Sequence, residues 1–148
     1  MRVAMGSDHG GFNLRQVIKA HLVARGFDVV DFGCETKDSV DYPDYALIVS
    51  NAIVSGDCDL GVLVCGTGLG ISIAANKVKG IIAAPVSDTF SAEMARKHNN
   101  ANIVALGERV VGEGLALKII DAFFDAEFEG GRHACRVDKI KNIELNNL

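Results

Sequence analysis

Short apolar runs rich in β-branched residues alternate along this chain with amphipathic stretches, the pattern of repeated βα units around a parallel sheet. The runs Val3 to Met5, Asp28 to Phe32, Leu60 to Val64, Gly80 to Pro85 and Ile103 to Leu106 are predicted as five strands. Leu60 to Val64 is continuously apolar, as a strand covered on both faces requires. Between the strands, Phe12 to Arg25 places Val17, Ile18, His21 and Leu22 at helical spacing and stops at Gly26. Pro43 to Ser55 starts with proline in its first turn and ends before Gly56. Gly68 to Lys77 and Thr89 to Lys97 are shorter helices, and Glu113 to Phe123 carries a stripe of Leu115, Ile119, Ile120 and Phe123. Gly130 to Leu148 breaks this rhythm with a glycine pair and a basic cluster before a final helical stretch. That tail is expected to pack outside the sheet or on a partner subunit.

Length and charge narrow the picture. The 148 residues, 49% of them hydrophobic, suffice for one core, so a single domain over 1–148 is expected, and no internal repeat or linker divides it. A net charge of -4 without a long basic run argues against nucleic acid or an anionic membrane as partner. Met1 to Gly6 is too short and too soon polar for a secretory signal, and no apolar run approaches a membrane span. A soluble, cytoplasmic protein is expected. The four cysteines, Cys34, Cys58, Cys65 and Cys135, form no Cys-x-x-Cys pair and read as reduced thiols.

In an open α/β sheet, ligands bind where the carboxyl ends of the strands meet their loops. There the first strand runs into Gly6-Ser7-Asp8-His9-Gly10-Gly11, the third into Cys65-Gly66-Thr67-Gly68-Leu69-Gly70, and the fifth into Gly107-Glu108-Arg109. Alternate glycines between a buried strand and a helix let the backbone approach a ligand and turn amide N–H groups toward it. The spacing is Gly-x-Gly-x-Gly, not the Gly-x-Gly-x-x-Gly of dinucleotide sites, although Asp88 lies at the distance of a ribose contact. A thiolate at Cys65 would be favoured by the helix dipole and the free amides, which suits a base. Spacing alone leaves that reading level with a buried strand-end thiol.

Other polar residues have more than one reading. Asp8 and His9 offer a pair for sugar hydroxyls or phosphate, and no His or Cys recurs at a metal-ligand spacing, so no metal is expected. His98 with Asn99 reads either as an acid with an amide contact or as a helix C-terminal cap. His21 reads as a partly buried surface residue. Arg132 and Arg136, four apart, would share a helix face as a phosphate clamp, against a solvated basic cluster as the alternative.

Together these segments resemble the type B ribose-5-phosphate isomerases, related to the galactose-6-phosphate isomerase subunits. The resemblance runs through Gly6-Ser7-Asp8-His9, Asp41-Tyr42-Pro43-Asp44, Cys65 to Lys77, Ala95 to Asn102 and Gly130 to Val137. It implies a Rossmann-like three-layer α/β/α sandwich with a five-stranded parallel sheet, and a homodimer or homotetramer with active sites between subunits. It implies no cofactor. The reaction implied is interconversion of D-ribose 5-phosphate and D-ribulose 5-phosphate through a cis-enediolate, as in the pentose phosphate pathway. In it Cys65 is the base at C2, His98 the proton donor in ring opening, and Thr67 the group that helps move a proton between the two oxygens. Asp8, His9, Tyr42, Leu69 and Asn99 would contact substrate, the amides of Gly66 through Gly70, those of Gly68 and Leu69 among them, would meet the enediolate charge, and Arg109, Arg132 and Arg136 would bind phosphate.

Two positions refine the resemblance. One branch of the family replaces the cysteine by a glutamate just after the glycine loop; here that position is Ile71, which leaves Cys65 as the base. Many relatives carry arginine where this chain has Ile82, a position outside the family's substrate contacts. Two other functions stay in view: a six-carbon sugar-phosphate isomerase for allose or galactose 6-phosphate, and a non-catalytic nucleotide- or phosphate-binding module built on the same loop.

Overall fold

The computed structural model describes residues 1–147. The strands are β1 (Arg2–Ser7), β2 (Asp28–Asp31), β3 (Leu60–Cys65), β4 (Ala83–Pro85) and β5 (Ile103–Gly107). The helices are α1 (Phe12–Ala24), α2 (Tyr42–Val54), α3 (Leu69–Ala75), α4 (Thr89–Lys97), α5 (Glu113–Phe124) and α6 (Arg132–Asn146). Each strand pairs in parallel, in the order β2-β1-β3-β5-β4. The chain builds leftward from β1 to β2 and rightward from β3, so the switch in winding falls between β1 and β3, where such sheets bind ligands.

Alternation along the strands feeds two cores. Val62 and Val64 of β3 face α1, α4 and α5, where Ile18, Leu22, Ile119 and Phe123 pack. Leu63 and Cys65 face the opposite way, among Ala46 and Val49 of α2 and Ile71 and Ala75 of α3. This is the expected Rossmann-like three-layer sandwich. Helix α6 belongs to neither core cluster; it buries His133 and Val137, and near its end Glu144 accepts from the Gly80 N–H at 3.1 Å.

Most predicted boundaries shift by a residue or two, and β4 differs more. Gly80 to Ile82 stays outside that strand because other groups claim its backbone: the Asn102 side chain takes the Ile82 N–H at 2.9 Å and gives a hydrogen bond to the Gly80 carbonyl at 2.9 Å. Ile82 itself packs partly buried against the α1, α4 and α5 core. Pro43 sits in the first turn of α2 behind Asp41 as cap residue, one position later than predicted.

A buried cation braces the end of β1. Arg15 of α1 is 2% exposed; its Nη1 donates to Ser7 Oγ at 2.6 Å, its Nη2 donates to the Cys34 carbonyl, and its Nε lies 3.2 Å from Asp31. A buried guanidinium without such partners would be strongly destabilising. The arrangement ties β1, β2 and the loop after β2 together directly behind Asp8.

Candidate active site

Three strands end side by side at one edge of the sheet: Ser7 is in register with Val64, and Cys65 with Gly107. Their loops meet so closely that side chains are excluded. A Cβ on Gly10 would lie 3.2 Å from the Gly66 nitrogen, and one on Gly66 would lie 3.4 Å from Nη1 of Arg109. A Cβ on Gly107 would lie 2.6 Å from the Thr67 carbonyl carbon, and one on Gly70 would lie 2.7 Å from Cζ of Tyr42. The Asp8 loop, the Cys65 loop, Arg109 and Tyr42 are therefore neighbours.

Cys65 is the last residue of β3 and is buried, and its Sγ accepts a hydrogen bond from the Gly68 N–H at 3.1 Å. The amide reaches it because Gly68 has φ of 80°, a left-handed conformation that glycine adopts without penalty. Thr67 Oγ1 accepts from the Leu69 N–H at 3.2 Å, which leaves its hydroxyl proton free to donate. Two of the amides expected to face a ligand, those of Gly68 and Leu69, are thus engaged inside the loop.

Asp8 is also partly committed. Its Oδ1 accepts from the Gly10 and Gly11 N–H groups at 2.9 and 3.2 Å, capping a single turn over His9–Gly11 that leads into α1. His9 Nδ1 accepts from the Val40 N–H at 3.1 Å. In the neutral ring this puts the proton on Nε2, as a donor. Asp88, at the distance of a ribose contact, instead caps α4: its Oδ1 accepts from the Ser91 N–H at 2.7 Å, and that bond holds the carboxyl below its usual range. His21 is half-buried as expected, 2.7 Å from Asp121.

The remaining predicted site residues lie at the opposite edge of the sheet. His98 caps the C-terminus of α4 through its backbone N–H to the Met94 carbonyl at 2.8 Å, and β5 begins five residues later. Since β5 runs from that edge to Cys65, its five residues, roughly 16 Å of strand, separate His98 and Asn99 from the thiol. Arg132 and Arg136 are exposed on the first turns of α6, beside the same cluster. Within one chain the structure brings Asp8, His9, Tyr42, Cys65, Thr67 and Arg109 together, and leaves His98, Asn99, Arg132 and Arg136 as a second group.

This second group holds two residues that spacing did not single out. The His98 and His133 rings stack with centroids 4.1 Å apart and planes within 9°, and Oε1 of Glu129 lies 3.6 Å from Nε2 of His98 and 3.4 Å from Nε2 of His133. Burial, then His98 and Arg132, hold the His133 imidazole below the usual histidine range, with Glu129 opposing. The Glu129 and His133 pair, four apart across the glycine turn, was the available signal. The three residues present ligand atoms within 4.8 Å of one another. Imidazole lone pairs lie in the ring plane, however, so an ion between two parallel rings would sit out of both planes. The loop carrying His98 and Asn99 is held by Arg96, whose Nη1 donates to the Ala101 carbonyl at 2.7 Å and to Asn100 Oδ1 at 3.2 Å.

No described helix is long and apolar enough to cross a membrane. Residues 3–140 match the Ribose/Galactose Isomerase family. The chain is similar to ribose-5-phosphate isomerase B of Escherichia coli, 50% identical over 97% of this chain and 96% of that protein. It is also similar to D-erythrulose-4-phosphate isomerase of Pectobacterium atrosepticum, 46% identical over 97% of this chain and 95% of that one. Among solved structures, ribose-5-phosphate isomerase B of Clostridium thermocellum superposes with a TM-score of 0.99 at 57% identity, covering 100% of both chains. With the glycine loop and the first turns of the C-terminal helix inside the matched span, the chain belongs to the Ribose/Galactose Isomerase family.

Proposed function

We propose that the protein interconverts D-ribose 5-phosphate and D-ribulose 5-phosphate, with Cys65 as base and with each site built from two copies of the chain. The observation that carries this reading is the thiol itself, at the end of a buried strand, held by the Gly68 N–H at 3.1 Å among three converging loops. One copy supplies Asp8, His9, Tyr42, Cys65, Thr67 and Arg109. A second copy supplies His98, Asn99, Arg132 and Arg136, which a single chain holds a strand's length away. Helices α2 and α3 pack beside the Cys65 edge and leave Leu47, Leu69 and Ile73 at 50%, 56% and 60% exposure, an apolar face suited to a second copy.

In this site His98 protonates the ring oxygen of the aldose as the ring opens. Cys65 removes the C2 proton, and the enediolate charge falls on the loop amides not engaged internally, Gly66 and Gly70. Thr67, with its hydroxyl proton free, moves a proton between O1 and O2, and Cys65 returns its proton to C1. Leu69 and Asn99 contact the chain of the sugar, and Arg109, Arg132 and Arg136 with His9 bind the phosphate. No step requires a metal or an organic cofactor.

The test is incubation of ribulose 5-phosphate with the enzyme in deuterated water, with and without chelator. Deuterium should enter C1 in the wild type and not in Cys65→Ala; exchange undiminished in that variant overturns the base assignment. A second reading, a sugar phosphate of another length, is favoured by the Pectobacterium relative named for a four-carbon substrate. Comparing kcat/KM on ribose 5-phosphate, erythrulose 4-phosphate, allose 6-phosphate and galactose 6-phosphate decides it, and a preference for any but the pentose would displace the first reading.

A further inference from the structure

His98 does not act alone in the geometry described above. Its ring lies flat against His133 at 4.1 Å, and a single carboxylate oxygen, Oε1 of Glu129, lies near the Nε2 atoms of both rings. Two imidazolium charges at that separation repel, so a second positive charge on the pair is opposed. Other cations crowd the same place: Arg132 and Arg136 from α6 and Lys97 from α4 all feel or face these groups. Glu129 is the acid that offsets them. The two rings differ in access, His133 being 9% exposed and His98 38%.

We propose that Glu129 and His133 are positioning residues for His98: the stack fixes the ring, and the carboxylate holds one proton on the pair, carried by the more exposed His98. This deepens the reading under Proposed function and rests on it. In ring opening His98 Nε2–H gives its proton to the ring oxygen as the C1–O bond breaks. The anomeric hydroxyl loses its proton to solvent as the carbonyl forms, and the imidazole takes a proton back from solvent. Glu129 favours the charged ring before the transfer, and His133, kept neutral by its burial, supplies a flat surface without a second charge.

The chemistry of the two sugars provides a test that a structural role would not pass. Ribose 5-phosphate must be opened, whereas ribulose 5-phosphate is open-chain, because its 5-hydroxyl is esterified and no five-membered ring can close on C2. Deuterium exchange at C1 of ribulose 5-phosphate therefore needs Cys65 but not His98. In Glu129→Gln, turnover of ribose 5-phosphate should fall about tenfold while that exchange stays at the wild-type rate. The alkaline limb of the ribose 5-phosphate profile, where the donor loses its proton, should move to lower pH, because a cation without its carboxylate is deprotonated more easily. Glu129→Asp should recover part of the turnover. His133→Phe, which keeps the flat contact, should retain most of it, and His133→Ala should not. Equal losses in turnover and exchange, or an unmoved limb in Glu129→Gln, would overturn the inference. Absence of exchange in the wild type would overturn the underlying reading, a result distinct from either.

Discussion

The two polar clusters are built by different means. At the Cys65 edge the backbone does most of the work: Gly10, Gly66 and Gly107 allow three loops to touch, Oδ1 of Asp8 caps a turn, and Sγ of Cys65 takes an amide hydrogen bond. At the His98 edge the parts are side chains with few fixed partners: a stacked imidazole pair, one carboxylate, and two exposed arginines on a helix outside both cores. The first is preorganised for charge developing on a small substrate. The second is a set of donors and charges presented outward, suited to closing over a site on another copy. Under the proposed function, a single chain carries both halves of a site and joins neither to the other.

The largest expected effect breaks the first cluster. Cys65→Ala should lower turnover of ribose 5-phosphate by about 10² to 10⁴, the usual worth of a positioned acid or base, with circular dichroism and melting temperature near wild type. Activity surviving within tenfold would move the base elsewhere.

The next prediction tests whether the clusters meet across copies. Cys65→Ala and His98→Asn proteins, each nearly inactive, should regain activity when unfolded together and refolded as a mixture. In a two-fold dimer half the assemblies are mixed, and each mixed assembly holds one site with both native groups. About a quarter of wild-type activity should return for equal amounts. A mixture as inactive as its components would place both groups in one chain's site, contrary to the strand that separates them. Arg136→Ala in place of His98→Asn should behave alike, with the separate variant showing a raised KM for the phosphorylated sugar.

How these clusters could be anticipated differs between them. Strand β3 and the loop after it were legible because a continuous apolar run followed by alternate glycines has few other solutions, and the structure places Cys65 at that strand's end. Helix α4 matched its predicted limits, with Asp88 as cap in place of a ribose contact. Strand β4 was overextended because the side chain that claims its backbone, Asn102, lies 20 residues on from Ile82 and leaves no local trace. The distance between His98 and Cys65 was legible only in outline, since residue order puts His98 ahead of the fifth strand and Cys65 after the third. Residue order tells that a helix ends at His98, but only strand direction and register put that end opposite the thiol. Glu129 and His133 left a trace in their spacing, four apart, but that trace gains meaning only against the His98 ring at the end of another helix.

Smaller effects sharpen the contrast in rigidity. Gly107→Ala would set a Cβ 2.6 Å from the Thr67 carbonyl carbon, a backbone atom that cannot swing aside. Overpacking of this kind costs about 1–3 kcal/mol, seen as a lower denaturant midpoint. Because the strain falls between β5 and the loop after Cys65, deuterium exchange into ribulose 5-phosphate should drop as well. A variant with unchanged stability and exchange would show that these loops yield more readily than their contacts imply.

The smallest effect concerns the other edge. Asp88→Ala removes the cap of α4, the helix whose far end carries His98, and should lower the melting temperature slightly at neutral pH. The Ser91 amide holds the folded-state carboxyl below its usual range, so its contribution is complete above the unfolded value and is lost as pH falls through the folded one. The difference between wild type and variant should therefore shrink toward zero in acid and stay constant from mildly acidic to neutral pH. Melting curves of both proteins across that range measure it. Turnover at neutral pH should hardly change, because α4 packs on α5 along its length and the cap lies at the end away from His98. A large loss of activity with little loss of stability would mean that the His98 cluster depends on the whole helix, and that the second half of the site is as tightly constructed as the first.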